Sequence, residues 1–212
     1  MDKILDKYIS SIKGEKKDLI ETDINQFSEF IENSIVGKNR TLYKINIQDI
    51  ENNMILAYIG DYLLHKVNLI SDSYVGVLMN LLNYYRFIRN ENIIDSKKYN
   101  RIKKIFNYYI DIIPDVKAFS YELNNYITNS FNYLNKIEDV YSSFVKIERI
   151  EKNLLWFYSY REKKEIGPFV LLKNITKYAR IGFSFEAEYT ISSGNYYFIF
   201  AGNVYPEGAF YK

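Results

Sequence analysis

The sequence predicts an α+β protein. A helical bundle over residues 1–139 comes first, followed by a small antiparallel β domain over 140–212, either an SH3-like barrel or a bent sheet. Three observations carry this. Apolar residues recur at helical spacing through the first two thirds of the 212-residue chain. Near Val140 that spacing gives way to the alternation of strands. Beyond that point, turn signals such as Gly167–Pro168 and Ser193–Gly194–Asn195 separate short runs rich in aromatic and β-branched residues.

The helical part is organised around the stretch Ser71–Asp95. Tyr74, Val77, Leu78, Leu81, Leu82, Tyr85 and Ile88 fall on one face of a helix. Ser71, Asp72 and Ser73 offer capping oxygens, and the helix should stop within Asn90–Asn92. Upstream, Ile4, Leu5, Tyr8, Ile9 and Ile12 mark a short amphipathic helix ending at Gly14, with Glu15–Asp18 as a loop. Residues 22–35 form the next helix, capped by Thr22 or Asp23, with Ile24, Phe27, Phe30, Ile31 and Ile35 inward. Asn46 is the expected cap of a third, with Asp49 in its first turn. Ile50, Met54, Ile55, Tyr58, Ile59, Tyr62 and Leu63 make its inner face. Tyr99, Ile102, Phe106, Tyr109 and Ile113 form a further stripe. Pro114 should end it, because the residue before a proline is driven out of the helical region. A last helix is expected from Val116 to Ile137, with Phe119, Leu123, Tyr126, Ile127, Leu134 and Ile137 inward.

In the C-terminal part, strands are expected around Phe144–Ile150, Leu154–Tyr160, Phe169–Leu172, Ala179–Ile191 and Tyr196–Phe200. Phe183, Phe185, Ala187 and Tyr189 alternate with Ser184, Glu186, Glu188 and Thr190, the pattern of a half-exposed strand. Ser193–Gly194–Asn195 suits a hairpin turn. A closed barrel would remove open sheet edges. Trp156 is expected in the barrel core, with Tyr158 and Tyr160 sharing its face. Such a row either packs one half of the protein on the other or stacks bases; packing is the preferred expectation.

Composition narrows the chemistry. With no Cys, disulfides, Cys-ligated zinc and a thiol nucleophile are excluded. No apolar run reaches the ~20 residues of a membrane span, and the N-terminus lacks the apolar core of a signal peptide. A cytoplasmic protein with no membrane association is expected. Aromatic residues make up 17% of the chain, with 22 Tyr and 14 Phe, enough to line a core and to leave rings outside it. Neither phosphate-cradling glycine motif nor a G-x-S-x-G elbow occurs. The single His65 follows Asp61 by one helical turn and reads as a satisfied or surface histidine. Glu186 and Glu188 share one strand face, where paired carboxylates are ordinarily solvated. No catalytic residue, metal site or cofactor is expected.

The charge is not uniform. Over Arg86–Lys104 there are seven basic residues against two acidic ones, although the whole chain is only +2. Arg86 and Arg89 oppose the negative end of the central helix dipole. Lys97, Lys98, Arg101, Lys103 and Lys104 continue the positive run. These seven are the candidate nucleic-acid-binding residues.

A set of residues within 22–95 carries a resemblance. Phe27, Phe30 and Ile31 open it, followed by Ile45, Asp49 and Ile50, then Tyr58, Ile59, Tyr62 and Leu63. Ser71, Ser73, Leu81, Tyr84, Tyr85, Arg86, Phe87, Ile88, Ile93 and Ile94 complete it. The pattern resembles the N-terminal helical core-binding domain of tyrosine recombinases and phage integrases. That resemblance implies a four-helix domain forming half of a clamp around duplex DNA. The recombinase catalytic domain has no counterpart: one histidine is too few, and the C-terminal part is too short and too rich in strands.

Two expectations about function follow. The first is a non-enzymatic nucleic-acid-binding protein whose bundle presents the seven basic residues to DNA or RNA phosphates, with affinity falling steeply as salt rises. The second is a protein-interaction module: an adaptor, an inhibitor or an immunity-type protein of a mobile element. It would use tyrosine-rich surfaces as binding hot spots, with the Ile4–Ile12 helix as a possible homodimer face. A hydrolase or nuclease using scattered carboxylates comes third.

Overall fold

Helical periodicity followed by strand alternation produces the expected α+β class, a helical region and then a five-stranded closed barrel. The structure is a computed structural model and describes residues 2–14, 16–36, 47–66, 71–130 and 139–209. By its contacts the chain divides into two compact units, Met1–Asp111 and Ile112–Phe210. The helix-to-strand change comes later, where β1 begins at Tyr141.

The first unit contains α1 (Asp2–Ser11), α2 (Lys17–Val36), a 3-10 turn (Ile47–Asp49), α3 (Asn52–Ala57) running into a π-helical turn (Tyr58–Lys66), and α4 (Ser71–Asn90). It also holds the N-terminal half of α5 (Ser96–Ser130). The seven apolar positions of α4 are all buried, as their spacing requires. Asn92 ends the helix in the left-handed conformation, φ 57°, while the Ile93 N–H reaches back to the Ile88 carbonyl at 3.1 Å. Asp95 then caps α5 by accepting the Lys98 N–H at 2.6 Å. The apolar face of α1 is used within its own bundle. Leu5, Tyr8 and Ile9 are buried, and the Tyr8 ring lies 5.2 Å from Tyr84 and 5.1 Å from Phe87.

Several boundaries differ from the sequence expectation. α2 begins at Lys17, so Thr22 and Asp23 do not cap it. Thr22 Oγ1 instead donates to the Asp18 carbonyl at 2.8 Å, and Asp23 is buried against α4, accepting from Asn80 Nδ2 at 2.7 Å. Asp49 lies in the separate 3-10 turn, and α3 starts at Asn52. Asn46, Ile45, Leu134 and Ile137 fall outside the described residues. Pro114 does not end a helix: α5 runs through it from Ser96 to Ser130. The lost hydrogen bond is offset by packing on both sides of the proline, where Ile113, Val116 and Phe119 are all buried.

Two stability predictions arise here. A proline in a helix interior is worth ~3 kcal/mol less than alanine. Pro114 is exposed, so Pro114→Ala restores the missing donor without disturbing the core. It should raise the unfolding free energy by about 1–3 kcal/mol in urea titration. Asp23 supplies the second. Burial raises its carboxyl pKa above the usual range, and the Asn80 hydrogen bond opposes this only partly. A raised carboxylate pKa means that the folded state holds the proton more tightly. Asp23's contribution is therefore complete below the unfolded-state pKa and is lost as pH rises through the folded one. Asp23→Asn keeps an acceptor for Asn80 and has no charge to bury. The variant should be more stable than the parent at neutral pH, the gap closing below about pH 4, as read by unfolding curves across pH.

The second unit is the barrel with the C-terminal half of α5. Its strands are β1 (Tyr141–Glu151), β2 (Leu154–Ser159), β3 (Lys164–Val170), β4 (Ser184–Ser192) and β5 (Asn195–Ala201), with the short helix α6 (Lys173–Thr176) between β3 and β4. The closed order is β1-β2-β3-β5-β4. The long strand β1 serves both sides, pairing with β4 along Tyr141–Lys146 and with β2 along Val145–Glu151. β3 and β5 run parallel, Phe169 opposite Tyr196. With β4 returning beside β1, this is a Greek-key order, one shared with OB-type barrels. Sequence spacing marks strands but not their order. Here the expected strand from Ala179 begins only at Ser184, and the α6 crossover brings the β4–β5 hairpin round to β1. That hairpin turns at Ser193 and Gly194, φ 50° and 76°, the paired positive angles of a type I′ turn.

The barrel is filled by aromatics. Phe157 meets Phe169, Phe185 and Phe198 edge-on at 5.1, 5.7 and 5.4 Å. From α5, Phe119 adds its ring to Phe183 and Phe185 at 6.0 and 6.1 Å. Polar contacts hold that half of α5 in place: Asp115 with Arg180 at 2.6 Å, and Glu122 accepting from Asn174 at 2.6 Å.

Candidate nucleic-acid interface

The geometry of β2 decides which of its rings face outward. Leu155, Phe157 and Ser159 are buried. Successive side chains alternate, so Leu154, Trp156 and Tyr158 stand on the outer face, and Tyr160 follows at 42% exposure. Trp156 is therefore not in the core as expected. The run Leu154–Tyr160 is apolar at both alternating sets of positions, and its sequence does not say which set turns inward.

Neighbouring strands complete an aromatic surface. Tyr158 and Tyr160 meet edge-on at 5.3 Å. Phe144 of β1 lies 5.9 Å from Tyr160 and 6.3 Å from Tyr205. The Arg149 guanidinium lies 3.5 Å over the Trp156 ring. Glu151 at 2.7 Å and Glu165 at 3.4 Å hold it there. Lys146, opposite Tyr158, pairs with Glu148 at 2.7 Å, and that hydrogen bond raises the Lys146 pKa. Chemically this face offers flat π surfaces and a guanidinium plane, with its cations partly balanced by carboxylates. Stacking is its main capacity. The Tyr158 and Tyr160 rings are 5.3 Å apart and nearly perpendicular, wider than the 3.4 Å rise per base of a stacked duplex strand. A base on each ring thus requires an unstacked, extended strand.

The seven basic candidates do not form one patch. Lys97, Arg101 and Lys104 share an exposed stripe of α5 with Tyr108, spaced i, i+4, i+7 and i+11, opposite the buried Tyr99, Ile102, Phe106 and Tyr109. Lys103 is exposed on another flank. Lys98 turns to the 3-10 turn, its ammonium donating to the Gln48 carbonyl. Partial burial lowers its pKa against the opposing pull of Asp49, Asp95 and Glu51. Arg89 bonds Asn90 Oδ1 through Nη2 at 2.6 Å and lies 5.0 Å over the Tyr99 ring. Arg86 donates to Asn83 Oδ1 at 3.2 Å. Arg86, Arg89 and Lys98 thus make local contacts within the bundle, and Lys97, Arg101 and Lys104 are the part of the set exposed along one helix face.

Elsewhere, Glu186 is exposed on the outside of β4 and Glu188 half-buried, and His65 and Asp61 lie on the π-helical turn. Among the described residues, no three His, Asp or Glu side chains gather into a set able to hold a metal ion, and no helix is long and apolar enough to cross a membrane. Sequence reasoning missed Phe144, Lys146, Arg149 and Tyr205 as neighbours of the aromatic row. Only cross-strand register brings them there. Phe144, Ile147 and Ile150 marked the start of a β-rich segment but named no partner. Compared with family models, curated proteins and solved structures, the chain matches none.

Proposed function

We propose that this protein is a non-enzymatic nucleic-acid-binding protein whose barrel holds a single strand by stacking bases along the outer face of β2. The observation that carries the reading is the outward row of Trp156, Tyr158 and Tyr160, with Arg149 on the indole. The OB-type order supports it as an analogy of fold, since the β2–β3 face of such barrels is a common oligonucleotide surface. Lys97, Arg101 and Lys104 line an exposed stripe of α5 in the first unit, a separate surface able to make sequence-independent phosphate contacts of its own. A single-stranded ligand releases about 0.7 counterion per contact, so these three would contribute about −2 to the log–log salt slope.

The test is a titration of the nucleic-acid-free protein with labelled single-stranded DNA, RNA and duplex DNA at two salt concentrations. The single strands should bind more tightly than duplex. Changing Lys97, Arg101 and Lys104 together to Gln should flatten the slope. Ion pairs of Glu148, Glu151 and Glu165 on the same face favour a second reading, a protein-interaction module. It takes over if no nucleic acid binds at low salt.

A further inference from the structure

A cleft of about 650 Å³ opens where β3 ends, between Tyr126 of α5, Lys152 and Asn153 of the β1–β2 turn, and Val170, Leu172 and Lys173. Its walls are apolar and open: Val170 is 50% and Leu172 56% exposed. Its charged residues are the two lysines, with no carboxylate in the lining. Two other clefts differ in this respect, for both include Asp95, and one adds Asp49 and Glu51. An apolar slot rimmed only by cations is complementary to a flat apolar group carried on an anionic chain.

Its position gives that group an origin. Val170 stands opposite Leu154, and both point outward from the barrel. Leu154 precedes Trp156 by two residues on the same face, a step of roughly 7 Å. The slot is thus the next station beyond Trp156 along the aromatic row. We infer that it takes a nucleobase of the bound single strand, seated between the Tyr126 ring and the Val170 and Leu172 side chains. Lys152 and Lys173 meet the phosphates on either side. This rests on the single-strand reading above and extends it: the row ends in a pocket, and the strand is held there at a fixed register.

The experiment uses the full chain and a labelled oligothymidylate of about twelve nucleotides. One variant is Val170→Glu, at a half-exposed position where the barrel core is untouched. The other is Lys152→Gln with Lys173→Gln. A peptide of alternating Leu and Glu is titrated in parallel. Val170→Glu should weaken oligonucleotide binding about tenfold or more while circular dichroism stays unchanged. The double lysine variant should flatten the salt slope by about 1.4, two contacts at 0.7 each. Oligonucleotide binding that depends on Trp156 yet is unchanged in both variants would overturn the slot and leave the stacking face standing. Slot-dependent binding of the peptide without slot-dependent binding of the oligonucleotide would also overturn it. No oligonucleotide binding by the parent protein would remove both readings together.

Discussion

Phe157→Ala should destabilise the barrel by about 3–5 kcal/mol, the range for removing a fully buried phenylalanine ring. The ring is wholly buried and meets three others edge-on, so no neighbour can fill the void without breaking a second contact. Part of the loss is area removed from water, and part is aromatic geometry worth ~0.5–1.5 kcal/mol per pair beyond burial. The measurement is convenient, because Trp156 is the chain's only tryptophan and adjoins Phe157. Its emission in a denaturant titration reports the barrel. Phe200→Ala, at 45% exposure on β5, serves as the control and should stay within about 0.5 kcal/mol of the parent. Equal effects at the two positions would contradict the packing described.

Replacing Tyr158 and Tyr160 by alanine is the second large effect, this time on binding. Stacking of a base on an aromatic ring is worth ~1–3 kcal/mol. Each loss should therefore weaken single-strand affinity by roughly 5- to 150-fold. Both side chains point away from the core, so the midpoint of unfolding should move little. Tyr→Phe at the same positions keeps the ring and should bind nearly as the parent does. That contrast separates stacking from hydrogen bonding by the hydroxyls.

The helical face of α4 could be read from the sequence because one physical constraint, burial of a single side of a helix, fixes the spacing of Tyr74 through Ile88. The inward set Phe183, Phe185, Ala187 and Tyr189 was legible for the same reason and is all buried, but on the other set only Glu186 is exposed and Glu188 half-buried, while Ser184 and Thr190 are buried as well. Where a segment satisfies two constraints at once, the pattern fails. Leu154–Tyr160 is apolar on both faces, one for the core and one facing outward, so Trp156 was assigned to the wrong side. Pro114 was read by its local preference, which packing on either side overrides. The seven basic residues were visible as a run in sequence, but helix rotation and the local contacts of Arg86, Arg89 and Lys98 set them apart, leaving Lys97, Arg101 and Lys104 as a stripe. Strand order could not be read at all, since the pairing of β1 with β4 joins segments some forty residues apart. The closed order depends on that pairing, whereas the face formed by Phe144, Arg149 and Trp156 comes from the β1–β2 hairpin register.

The most direct test of the central claim is the emission of Trp156 during titration with a single-stranded oligonucleotide at low salt. A base stacked in the row lies against or beside the indole–guanidinium pair, and it should quench the emission saturably. Duplex of the same sequence should quench it much less. Tyr158→Ala should shift the curve to higher concentration. Emission that stays flat with single strands, while the protein remains folded, would contradict the assignment of this face to nucleic acid.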